Sequence, residues 1–138
     1  MAEPLAFEIE LEQPYDVAVE AVTAALKTEG FGILTTIDVK ATLKQKLNEE
    51  FRPYVILGAC NPPLAHRALS AEARLGVLLP CNVTVEATDS GGSLVRIGDP
   101  HVLLQVGGLD ANPAVREIAD DARTRLQRAA RSLKRGEV

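Results

Sequence analysis

Apolar and polar residues alternate strictly from 5 to 12, with Leu5, Phe7, Ile9 and Leu11 on one side and Ala6, Glu8, Glu10 and Glu12 on the other. A period of two predicts a strand with one face in water. From Pro14 to about Glu29 the period lengthens to that of a helix, carrying Tyr15, Ala18, Val22, Ala25 and Leu26 on one stripe, and Gly30 stands where a helix ends. A second strand is expected over 31–37, with Phe31, Ile33, Thr35 and Ile37 sharing a face. Asp38 is placed to cap a short helix that buries Val39, Leu43 and Leu47.

In the run from Tyr54 to Cys60 both parities are apolar, which marks an interior strand covered on both sides. Asn61-Pro62 then opens a helix expected to bury Leu64, Ala65, Ala68 and Leu69 and to end by Gly76. Beyond Val77-Leu78-Leu79-Pro80, a strand sets Cys81, Val83, Val85 and Ala87 against Asn82, Thr84, Glu86 and Thr88. Asp89-Ser90-Gly91-Gly92 turns it into a hairpin with Leu94 to Ile97 as partner. Residues 98–111 fit a strand or a short helix equally well. Asn112-Pro113 starts a long last helix buried along Val115, Ile118, Ala122, Leu126, Ala129 and Leu133 and ending near Gly136.

Wet faces on the first and fourth strands exclude a doubly wound parallel sheet, which needs cover on both sides. The expectation is a single α+β domain over residues 1–138, a two-layer sandwich of about five strands in a mixed sheet with helices packed on one face. The other face is left partly exposed or used for self-association.

Composition adds limits to this picture. The chain has 138 residues, 46% of them hydrophobic, with three Phe, two Tyr and no Trp. A core can therefore form without staples, but stacking platforms for single-stranded nucleic acid are missing. A net charge of −4 argues against a nucleic-acid or anionic-membrane footprint, although acids crowd the first twenty residues and the last helix is basic. No signal-peptide pattern and no run of roughly 18 apolar residues occurs, so a cytoplasmic protein is expected. Two cysteines in a chain this long read as free thiols.

The candidate chemistry centres on Cys60-Asn61-Pro62 and His66, with Cys81-Asn82 as a related setting. Cys60 precedes a helix N-terminus, whose positive end favours a thiolate and attracts anions. Against this stand simpler readings: Asn61 and Pro62 as a helix start, Cys81 as core packing, His66 as a surface residue. A zinc or copper ion shared by Cys60, His66 and Cys81 has too few ligands for a closed structural site. In parallel strands the two thiols would also be separated by a strand length, on the order of 20 Å at about 3.3 Å per residue. Asp99 beside Pro100 and His101 is either an acid-base pair or a turn. No nucleophile elbow, P-loop, dinucleotide fingerprint, C-x-x-C or H-E-x-x-H is present, and no catalytic residue is assigned.

Gly30-Phe31, Cys60-Asn61-Pro62, Ala65-His66, Pro80-Cys81-Asn82 and Pro100, taken in order, resemble the DUF302 family, a domain of unknown function. The resemblance is good over roughly residues 28–105 and looser in the flanking helices. It implies a compact α+β domain, often a homodimer, without established enzymatic activity, whose members differ in whether they keep the cysteines. Three functions are expected. The first is a non-enzymatic, dimeric binding domain taking a small anion or soft metal near Cys60, Asn61, His66, Cys81 and Asn82. The second is a thiol redox enzyme or sensor using Cys60. The third is a scaffold using the open sheet face.

Overall fold

A computed structural model describes residues 4–136. Five strands, β1 (Ala6–Leu11), β2 (Gly32–Asp38), β3 (Tyr54–Cys60), β4 (Cys81–Ala87) and β5 (Ser93–Gly98), form one sheet in the order β1-β5-β4-β3-β2. The helices are α1 (Tyr15–Thr28), α2 (Val39–Leu47), α3 (Pro62–Ala71), α4 (Pro100–Leu103) and α5 (Pro113–Arg135), with 3-10 turns at Ala73–Leu78 and Val106–Ala111. This is the expected α+β fold, but each strand pairing is antiparallel, so the sheet is not mixed. The reason lies in the connections. The segment between β2 and β3 starts beside its own end, because Asp38 pairs with Val55. The segment between β3 and β4 does the same at the opposite end of the sheet, because Ala59 pairs with Cys81. Each is a long hairpin with a helix in it rather than a crossover.

The inner face of the sheet presents Ile9, Val95, Ile97, Val83, Val85, Val55, Leu57 and Ala59, all 4% exposed or less. Against it lie α1, through Ala18, Val22, Ala25 and Leu26, and α5, through the expected stripe from Val115 to Leu133. Ion pairs hold the basic last helix down: Arg128 reaches Glu29 at 2.9 Å, and Arg123 reaches the buried Asp99 at 3.2 Å.

Three local expectations change. A bulge between Ile33 and Thr35 leaves Leu34 unpaired and reverses parity, so Ile33 faces the core while Thr35 and Ile37 turn to the outer face. Capped by Asp38, which accepts from the Ala41 N–H, α2 nonetheless buries none of its residues. Leu69 is half exposed rather than buried. On the outer face Glu86 sits between Arg52 and Arg96, and Arg96 also reaches Glu8, a charged strip across β3 to β1. Among the described residues no helix is long and apolar enough to cross a membrane.

Candidate functional site

The segment from β3 to β4 builds a site at one end of the sheet. Its floor is the register pair Ala59 and Cys81, with Gly58 behind them, where an added Cβ would run into Thr35 Oγ1 and come within 2.8 Å of Pro80 Cγ. Helix α3 rises from this floor and turns Leu64 and Ala68 inward, and the 3-10 turn after it supplies Leu75 and Leu78. Leu103 and Leu104 close one side, Ile118 and Ala122 of α5 another. The result is a cavity of about 410 Å³ that brings Cys60, Asn61, Cys81 and Asn82 together. The antiparallel pairing removes the strand-length separation of the two thiols.

His66 does not join them. It lies two residues from both Leu64 and Ala68, about 200° around the helix from each, so it points away from the cavity. It lines a separate hollow between α3 and α5 with Arg67, Ser70 and Glu117. Among the described residues no group of three His, Cys, Asp or Glu side chains is placed to hold a metal ion.

Asn61 is 7% exposed and committed at both ends. Its Oδ1 accepts from the Leu64 N–H at 3.2 Å, and its Nδ2 donates to the Glu29 carbonyl at 3.4 Å, which ties α3 to the end of α1. Gly30 makes room for this contact: at φ +85° it escapes the penalty of a side chain, and a Cβ would come within 2.8 Å of Nδ2. The first four residues of α3 therefore offer no free N–H to an anion. Pro62 and Pro63 have no N–H, that of Leu64 is capped, and that of Ala65 bonds the Asn61 carbonyl at 2.9 Å.

Burial, and then the neighbouring Cys60, pushes the Cys81 thiol up to about 11, so it stays protonated at neutral pH. Asp99 resolves to the turn reading: it caps α4 by accepting from the His101 backbone N–H, while its carboxylate pairs with Arg123. The His101 ring faces Asp120 instead, with Nδ1 3.6 Å from Oδ1. The cavity walls at Leu78, Leu103 and Leu104 were visible in the sequence only as the short apolar runs 77–79 and 102–104, which carry no period.

Fold and site together define a two-layer α+β domain with a largely apolar cavity at one end of an antiparallel sheet. The chain belongs to the DUF302 family: the profile of that domain of unknown function matches residues 7–133, beyond both ends of the stretch that carried the resemblance. It is similar to the crystal structure of an uncharacterized conserved DUF302 protein from Bacillus stearothermophilus, with a TM-score of 0.81 and 30% identity over 93% of this chain and 97% of that one. No curated protein matches the chain.

Proposed function

We propose that this DUF302 member is a non-enzymatic binding domain whose small ligand occupies the cavity above Ala59 and Cys81. The observation behind this reading is the cavity itself. Its volume of about 410 Å³ falls within the roughly 300–1,000 Å³ of small-molecule sites, and its walls come from β3, β4, α3, α4 and α5. The two free cysteines fit a reducing, cytoplasmic setting. A thermal-shift and native mass-spectrometric screen of neutral, acidic and basic small molecules tests it, with Ala68→Phe as the variant that fills the cavity. Ligands that raise Tm for the wild type and not for the variant support the reading; a screen without a response from a folded wild type overturns it.

A soft monovalent cation held between Cys60 and Cys81 is a second reading, favoured by both cysteines lining one cavity. Copper(I) titration of the wild type and Cys81→Ser distinguishes it, since loss of a one-to-one complex in the variant is required. We further propose that the chain forms a homodimer through the outer sheet face, where Ile37 is 47% exposed beside its register partner Ile56. Sedimentation velocity of the wild type and Ile37→Glu tests this; a monomeric wild type or a dimer unchanged in the variant overturns it.

A further inference from the structure

We infer that the ligand of this cavity is an uncharged, hydrocarbon-like molecule with at most one hydrogen-bonding group. The inference rests on the binding reading above and deepens it. Among the described residues no Asp, Glu, Lys, Arg or His lines the cavity, so an ionised group inside would lose its water without gaining a counter-charge. In the first four residues of α3, the N–H groups that an anion would seek are removed by two prolines or already bonded, as described above. The Cys81 thiol faces the same space in its neutral form.

Polar capacity is limited as well. Both functional ends of the Asn61 side chain are bonded within the protein. Asn82 pairs with Gly58 and shares the outer sheet face with Thr84 and Glu86, so its amide adds no polar partner inside the cavity. The apolar character continues outwards: Leu34 and Leu69 line the cavity although 66% and 43% exposed, and Val77, between the lining residues Gly76 and Leu78, is 87% exposed. A chain longer than the cavity therefore leaves it along more hydrocarbon. For scale, an apolar cavity of about 150 Å³ holds benzene. The space here takes roughly two to three such units, in the range of a medium-length aliphatic chain or a fused ring system.

The test compares a neutral and a charged molecule of the same carbon skeleton. The full chain is titrated with the neutral fluorophore 1-aminoanthracene at pH 7.5, which is then displaced with 1-decanol and, separately, with decanoate. The expected result is a saturable rise in fluorescence, with 1-decanol displacing the probe at concentrations about 30-fold or more below decanoate, as the desolvation cost of a carboxylate requires. Ala68→Phe abolishes probe binding, and Ala65→Phe, at a half-exposed lining position, does the same if the first variant fails to fold. Equal or stronger displacement by decanoate overturns the inference, as does probe binding that survives both folded variants. If neither the probe nor 1-decanol binds, the inference also falls. The binding reading then survives only if a charged molecule in the broader screen binds in a way that Ala68→Phe blocks.

Discussion

Asn61→Ala separates the architectural role of this residue from a role in ligand binding. The substitution removes the N-cap of α3, worth about 1 kcal/mol, and leaves the Leu64 N–H without its acceptor. It also removes the bond to the Glu29 carbonyl, whose 3.4 Å length puts it at the low end for a hydrogen bond, about 0.5 kcal/mol. A loss of about 1.5 kcal/mol is expected, equivalent to a Tm fall of roughly 6 °C for a domain of this size. Urea unfolding followed by circular dichroism, with calorimetry for Tm, measures both quantities. Asn61→Ser divides the total, because serine caps a helix but cannot reach Glu29; it should cost about 0.5 kcal/mol. A loss below about 0.5 kcal/mol for Asn61→Ala would refute the assignment of Asn61 to the join between α1 and α3. Equal losses for the two variants would show that the arm to Glu29, and not the cap, carries the effect.

Three further outcomes follow from the same geometry. In the wild type, with the labelled cysteine identified by mass spectrometry, Cys81 should react with iodoacetamide at pH 8 about 100-fold more slowly than a thiol of ordinary pKa, with a rate still climbing above pH 9.5; a plateau below pH 9 contradicts the shift to about 11. For Glu86, burial alone would raise the carboxyl, but hydrogen bonds from Arg52 and Arg96 outweigh it and hold the group below its ordinary value of 4.5. Its contribution is thus fully present above the unfolded-state pKa and is lost as pH falls through the lower folded-state value. Glu86→Gln should be less stable at pH 7 and approach the wild type only as pH falls below the lowered folded-state pKa in urea titrations, whereas parallel curves would rule this out. Gly58→Ala should cost about 2 kcal/mol by overpacking against Thr35 and Pro80, with part of the loss restored by Thr35→Ala in a double-mutant cycle; additive costs would place the strain elsewhere.

Elements with an uninterrupted period were legible from residue order. The alternation of β1 and β4 and the stripe of α5 from Val115 to Leu133 appear in the structure with nearly the expected bounds. Where the pattern breaks, local reading fails for an identifiable reason. One extra residue, Leu34, reverses the parity of β2, and nothing in its neighbours announces a bulge. Residues 98–111 divide into α4 and a 3-10 turn in which Gly107 and Gly108 take positive φ, a conformation that leaves no apolar period to detect. Part of the candidate site was legible too, since Cys60, Asn61, Cys81 and Asn82 do line one cavity. His66 lies one turn into the helix that Asn61 caps, but side-chain direction around that helix takes it to a separate hollow.

Residue order alone determined the five strands, the four longer helices α1, α2, α3 and α5, and the capping of α3 by Asn61. Hydrophobic period and cap chemistry act over a few residues, so they can be read without knowing what a segment touches. Only the tertiary structure decided that the segment between β3 and β4 returns to the same end of the sheet, placing Cys81 opposite Ala59. That pairing depends on contacts between residues far apart in sequence. So does the cavity, whose chemistry is set less by its cysteines than by leucines drawn from α3, α4 and the turn between α3 and β4.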